Sequence, residues 1–407
     1  MSSPETPAVR PGGPGPATRP PADRYLYRSN PRYVLRGLDT IDPSERRALI
    51  GSSSGSAVGG LLFPADGTVP GTVKAVSPST ARLFQQAAVP TRLPSPRWPG
   101  VSGEDLGDLV GAEVLEVLVA GRFLTGVEAI AELARQPVEP PEGRLAALSL
   151  DAIAYAESLR LRDQAAIAER LYAFHRVPIR TAWRTVGYED AFRAGLRHAL
   201  PHGLGGDPRW TEYRHHPWRA FRRRRTPARA GRPTVKLYIS PTTDDLAGTV
   251  AASVALIVSA PEVLGWKVAD TVDTMVRPDK FVVYLESWRA LRDLAGELTP
   301  ALAGAQAHGV PFTCETGLDG LLSWGLDPAP SPDGPGSLVD SWRTWVTARL
   351  AGGLVQARQA GLTGSQAHAA ALRRARAAGV DTSTWQPVRG RAGVLERSAP
   401  CGRPKTG

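Results

Sequence analysis

Cysteine is nearly absent: the 407 residues hold two, Cys314 and Cys401. Two thiols build neither a disulfide framework nor a thiolate zinc site, and such scarcity points to a reducing cytoplasm. Long apolar runs are missing as well. No stretch of about 18 consecutive apolar residues occurs, so no membrane-spanning helix is expected. Met1 to Ala22 is rich in Pro, Gly, Ser and Arg and has no apolar centre. It reads as a disordered leader and not as a secretory signal. No Walker loop, dinucleotide fingerprint, zinc-protease histidine pair or nucleophile elbow is present. Gly51-Ser52-Ser53-Ser54-Gly55-Ser56 has the small residues of a phosphate loop but no lysine, and reads as a linker.

Lysine is the most informative scarcity. Of the 49 Lys and Arg, five are lysine: Lys74, Lys236, Lys267, Lys280 and Lys405. The Ala-, Gly-, Pro- and Arg-rich composition is that of a GC-rich genome, which explains much of the arginine without any role for charge. The net charge of +10 and pI near 10 attract phosphates, nucleic acid or acidic peptides and do not choose among them.

What is present suffices for two or three domains, with 42% hydrophobic residues to build their cores. The expected fold class is α+β or α/β. A disordered leader covers 1–22, and a small, winged-helix-like α+β module covers 23–135. A helical segment spans 145–200, a basic linker 201–233, an α/β domain with a mixed sheet 234–380, and a tail 381–407. Within the module, Val58 to Phe63 and Val73 to Val76 read as strands. Ser77 reads as a helix cap, and Val114 to Leu124 as a hairpin turning at Ala120-Gly121. Leu148 to Leu161 has helical apolar spacing, Asp163 caps the next helix, and Tyr188 to Leu200 forms a third. The 201–233 stretch, with its glycines, its prolines and the run Arg222-Arg223-Arg224-Arg225, reads as a long loop. Trp218 and Phe221 beside that run also give it the form of a nucleic-acid or phosphate patch. His215 and His216 lie among these arginines and read as solvated loop residues.

In the third region Val235–Ile239, Trp266–Val268, Lys280–Leu285 and Val310–Cys314 read as strands. Leu246–Ser259, Trp288–Gln306, 338–358 and 365–378 read as helices, with a loop over 315–336. Three of the five lysines therefore fall on predicted strands. Arginine keeps its proton at ordinary pH, whereas a desolvated lysine sheds it, so reserved lysines suit proton chemistry. They equally suit strand edges guarded by charge. The strand period of two places Tyr238 on the face of Lys236, and Tyr284 on the face of Lys280. Trp342 and Trp345 read as core residues of the final helix, which leaves Arg343 beside them without an evident role.

The order of short motifs here is similar to the type III effector HopA family and to its relatives in ribosomal-peptide biosynthesis. The motifs are Lys236-Leu237-Tyr238, Trp266-Lys267-Val268, and Arg277-Pro278-Asp279-Lys280 running into Phe281-Val282-Val283-Tyr284-Leu285. Val310-Pro311-Phe312-Thr313, Leu326-Asp327-Pro328 and Ser341-Trp342-Arg343 follow. The resemblance covers about Pro233 to Gln356. Where the family pattern has Ser-Phe-Gly before the last helix, this chain has Gly336-Ser337-Leu338. The resemblance implies a lyase of the class V lanthipeptide and thioamitide pathways, which removes phosphate from phosphoserine or phosphothreonine and leaves a dehydroamino acid. Such an elimination needs a base for the Cα proton, a grip on phosphate, and stabilisation of the enolate. Lys236, Lys267 and Lys280 are the candidate bases or phosphate ligands, Arg277 and Arg343 the candidate phosphate clamps, and Tyr238 and Tyr284 the candidate hydrogen-bond donors. The reaction requires no metal and no organic cofactor. The implied partners are a phosphorylated precursor peptide, a separate kinase and a cyclase; no membrane and no nucleic acid are expected. A second reading is a non-catalytic protein that binds a phosphopeptide or leader peptide of the same pathway. Nucleic-acid binding through the arginine run is a third, which the placement of the lysines disfavours.

Overall fold

A computed structural model describes residues 25–50, 58–65, 72–93, 106–135, 138–200, 207–224, 234–327 and 341–387. The leader, the Gly51–Ser56 run, Asp66 and Gly67 of the first expected turn, Arg225, Gly336–Leu338, Cys401 and Lys405 lie outside the described residues.

The described residues between 25 and 135 fold around two three-stranded antiparallel sheets. One sheet is β1 (Tyr27–Ser29) against β5 (Leu115–Val119) against β6 (Arg122–Leu124), and the other is β2 (Tyr33–Arg36), β3 (Gly60–Pro64) and β4 (Lys74–Val76) in chain order. Ala120 and Gly121 join β5 to β6 with φ of 50° and 80°, the left-handed pair that a two-residue hairpin demands. Helices α1 (Pro43–Ile50), α2 (Pro78–Gln86), α3 (Leu106–Gly111) and α4 (Gly126–Arg135) complete this part. Ser77 caps α2 by accepting from the Thr80 amide, with Pro78 in the first turn.

The main body is built on one seven-stranded sheet. Its order is β12 (Cys314–Gly317), β13 (Leu322–Leu326), β9 (Val235–Ile239), β11 (Phe281–Leu285), β10 (Val263–Ala269), β8 (Trp218–Arg223) and β7 (Trp210–His215). The fold is α+β. Every pairing in this sheet is antiparallel, where the alternation of helix and strand implies a mixed sheet. The crossover from β9 to β10 skips one strand position, and β11 fills it antiparallel to both neighbours.

Two stretches differ from their sequence reading for the same reason. The basic linker holds the β7–β8 hairpin, with Trp210, Trp218 and Phe221 buried; the arginines between its apolar residues disguise a strand whose two faces alternate. The loop expected over 315–336 holds β12 and β13, whose glycines mimic a turn. Conversely, the strand expected over Val310–Cys314 is a turn through Pro311–Thr313, and only Cys314 belongs to a strand, as the start of β12. Phe312 has φ of 63°, and its amide donates to Ser149 Oγ rather than to a neighbouring strand.

One face of the sheet is apolar. Leu237, Trp266, Phe281, Val283, Leu322 and Phe221 point into a core with α7 (Tyr188–Ala199), α8 (Leu246–Ser259) and α10 (Trp288–Ala301). The opposite face is overlaid by a helical layer of α5 (Arg144–Ser158), α6 (Gln164–Ala173), α11 (Trp342–Gln359) and α12 (Gly364–Ala377). Helices α5 and α6 thus pack with the C-terminal helices around Ile153, Ile167, Leu171, Trp342, Leu350 and Leu354. The short α9 (Val272–Met275) leads into β11, and β14 (Val380–Asp381) with β15 (Gln386–Pro387) folds the start of the expected tail back, burying Trp385. Gly325 shows how closely the layers meet: a Cβ there would come within 2.5 Å of the Trp342 ring.

Candidate functional site

The registers define a second face of the large sheet, and it is polar. Lys236 pairs with Tyr284 and Gly325, and Tyr238 pairs with Val282 and Ser323. Lys267 sits on β10 opposite Val282 on one side and Ala220 on the other. Because side chains alternate along a strand, Lys236, Tyr238, Tyr284 and Lys267 stand on one floor. The loop before β11 and the first turn of α11 add Arg277, Asp279 and Arg343 at its rim.

Two carboxylates order the cations. Asp279 is buried and takes three partners. Arg277 gives it a two-point contact, Nε to Oδ1 and Nη2 to Oδ2, both at 2.9 Å. Arg343 Nη1 lies 3.1 Å from Oδ2, and the Tyr172 hydroxyl donates to Oδ2 at 3.1 Å. Burial works to raise the Asp279 pKa, but Arg343 and Arg277 outweigh it and hold the carboxyl well below the usual range. Burial likewise opposes the charge on Arg277, and Asp279 overcomes it, so this guanidinium stays charged. Asp327 follows β13 and bonds Lys236 Nζ at 2.6 Å while accepting the Trp342 amide at 2.9 Å. Burial pushes Asp327 upward, against the pull of Lys236.

The three strand lysines part company here. Lys236 is tied to Asp327, with its Nζ 5.3 Å from the Tyr284 ring centre. Lys280 turns away from the floor. Fully buried, it donates to Pro241 O at 2.7 Å and to His308 Nδ1 at 2.6 Å, and burial brings its pKa down to about 7. His308 donates from Nε2 to the His175 carbonyl at 2.7 Å, which fixes Nδ1 as the acceptor for Lys280. Lys267 has no hydrogen bond or ion pair among the described residues. Its Nζ rests 4.1 Å above the Trp218 ring, and burial, with Lys236 and Arg277 nearby, lowers its pKa to about 8.

Tyr238 is buried and Tyr284 half-buried, and burial raises both hydroxyls, so each stays protonated as a donor. Arg277 keeps Nη1 without a partner among the described residues, since its Nε and Nη2 serve Asp279 and Tyr172. Arg343 is almost wholly committed: Nε donates to Pro311 O, Nη2 to Tyr172 O, and its side chain is 1% exposed. It is a strut of the site more than a free clamp. Of the seven residues singled out from the sequence, six gather on the floor and its rim; Lys280 does not.

Sequence reasoning missed Asp279, Asp327 and Tyr172, and read Trp218 only as an aromatic beside the arginine run. Asp279 and Asp327 stood inside the motifs already noted, where an acid beside cations is the signal for an ion pair. Tyr172 came from a segment with no motif, and Trp218 from a run read as solvated. Around the floor, Lys236, Lys267, Arg277 and Arg343 face Asp279 and Asp327, four cations to two carboxylates. The surplus is two with Lys267 protonated and one with it neutral, in either case the sign that a phosphate monoester, about −1.5 to −2 at neutral pH, requires. Among the described residues, no group of three or more His, Cys, Asp and Glu is placed to hold a metal ion. No helix there is long and apolar enough to cross a membrane.

No family model matches the chain, and no curated protein matches it. Among solved structures it is similar to an effector protein from Pseudomonas syringae pv. syringae, at 14% identity and a TM-score of 0.39, covering 61% of this chain and 99% of that one. It is also similar to the phosphothreonine lyase SpvC, an effector protein from Salmonella, at 16% identity and a TM-score of 0.27, covering 46% of this chain and 97% of that one. The type III effector and phosphothreonine lyase OspF from Shigella flexneri is a third, at 11% identity and a TM-score of 0.26, covering 43% and 88%.

Proposed function

We propose that this chain is a carbon–oxygen lyase that eliminates phosphate from phosphoserine or phosphothreonine in a peptide. The observation that carries the reading is Lys267: its Nζ has no hydrogen-bond partner among the described residues and rests on the Trp218 ring, and burial lowers its pKa to about 8. Lys236 is engaged by Asp327 and Lys280 by His308 and Pro241, so neither competes for the role of base. In this reading Lys267 Nζ takes the Cα proton, and the freed electron pair forms the Cα=Cβ bond as the Cβ–O bond breaks and its electron pair leaves on the phosphate. Arg277 Nη1 and Lys236 hold the phosphate oxygens. The Tyr238 hydroxyl donates a hydrogen bond to the departing oxygen. The phosphate takes up a proton from water and leaves as hydrogen phosphate, and Lys267 returns its proton to solvent.

The finer parts of the reading come from the order of motifs and not from the geometry. They are a ribosomally made precursor peptide as substrate, a separate kinase that phosphorylates it, and a cyclase that consumes the dehydroamino acid. The test is mass spectrometry of a phosphorylated peptide incubated with the protein. Loss of phosphoric acid with formation of a dehydroamino acid supports the lyase. Tight binding with no loss makes the protein a phosphopeptide binder instead.

A further inference from the structure

The hairpin that the sequence disguises as a linker delivers an aromatic ring to the lysine. Trp218 opens β8 opposite Ala269 of β10, on the same face as Ala220, the cross-strand neighbour of Lys267. Its ring is 6% exposed, and both Lys267 Nζ at 4.1 Å and the Arg277 guanidinium carbon at 5.2 Å lie over it. The other cross-strand neighbour of Lys267 is Val282. Neither the valine nor the alanine offers a polar side-chain atom. The charged groups that bear on Lys267 are Asp279, Lys236, Arg277 and Asp327.

We propose that Trp218 is the positioning residue for the base: its ring seats the Lys267 amine against an apolar surface, keeps water from it, and fixes it on the floor without consuming its lone pair. This rests on the reading of Lys267 as the base. Two effects of opposite sign meet at the ring. The electron-rich face attracts an ammonium and favours the charged form. Exclusion of water favours the neutral form. Burial lowers the Lys267 titration point to about 8, and we take exclusion of water as the larger of the ring's two effects. Removing the ring and admitting water therefore raises the titration point, whereas replacing it by aliphatic bulk lowers the point further.

The five lysines make the test direct. Reductive methylation with carbon-13 formaldehyde gives each lysine its own NMR signal, assigned through single Lys→Arg variants, and each is titrated without reference to activity. For Trp218→Ala, the Lys267 point is expected to rise toward the ordinary value of about 10.4. In Trp218→Phe it stays near that of the unaltered protein. Lys280, with its point near 7, reports on the fold in the same spectra. If Lys280 also rises in Trp218→Ala, the variant has unfolded, and Trp218→Leu decides: a lower Lys267 point supports the proposal and a higher one overturns it. A Lys267 point that stays put in a folded Trp218→Ala, or that rises equally in Trp218→Phe, overturns it outright. Activity is a separate arm. With a two-unit rise, the neutral fraction at pH 7 falls roughly 100-fold, and kcat should fall with it and recover at higher pH. A shifted lysine with no matching change in the pH–rate profile would leave Trp218 as the seat of the Lys267 amine and refute Lys267 as the base.

Discussion

At the residue scale, the rare lysines separate by their partners. Lys236 has a carboxylate, Lys280 an imidazole and a carbonyl, and Lys267 a ring. Sequence could show that lysines were reserved from an arginine-rich background. It could not show these partners, because Asp327, His308 and Trp218 lie between 28 and 91 residues away along the chain from the lysines they contact. The same holds for Arg277 and Arg343, which converge on Asp279 from different elements. Arg277→Ala should weaken phosphopeptide binding by roughly 1.5–3 kcal/mol, the loss of a charged hydrogen bond, as titration calorimetry would read it. Lys280 makes a stability prediction. Its folded pKa of about 7 lies below its unfolded value, so above pH 7 the unfolded chain binds more protons and stability gains with rising pH. The unfolding free energy of the wild type minus that of Lys280→Met should therefore climb from pH 7 to 9, by at most about 1.4 kcal/mol per pH unit. A flat difference in urea unfolding would mean that Lys280 stays charged.

At the scale of elements, the strands with near-continuous apolar runs, β9 and β11, were legible, and so were the capped helices α2 and α6. The hairpin β7–β8 was not, because four consecutive arginines read as a solvated run. In the fold two of those, Arg223 and Arg224, are spent on local acceptors: Arg223 on the carbonyls of Val263 and Ala260, Arg224 on that of Trp210. Limited proteolysis should consequently spare Trp210 to Arg223 in the folded protein, and efficient cleavage within that hairpin, found by mass mapping, would contradict its place in the sheet. The strand β13 was hidden by Gly325, which is there so that Trp342 can pack on the sheet. Gly325→Ala drives a methyl into that ring and should cost about 1–3 kcal/mol in chemical denaturation. It should also disturb Asp327 and the start of α11, which carry Lys236's partner and Arg343. A neutral Gly325→Ala would show that the two layers have slack.

At the scale of the whole molecule, the α+β class was legible from the alternation of strand and helix signals, but the sharing of one body by α5, α6 and the C-terminal half was not. Amphipathic helices announce a buried face without naming what buries it. The division of the sheet into an apolar face and a cationic one gathers the candidate residues on one floor, and in the proposed reading the positive charge there meets a phosphorylated peptide. The central claim is that Lys267 removes a proton there while the other cations only hold charge. The direct measurement is mass spectrometry of a phosphothreonine peptide incubated with wild type and with Lys267→Arg, with peptide affinity measured alongside. The account predicts loss of phosphoric acid with the wild type, rising through about pH 8 as the lysine becomes neutral, and none with Lys267→Arg although the peptide still binds. Full elimination by Lys267→Arg would contradict it.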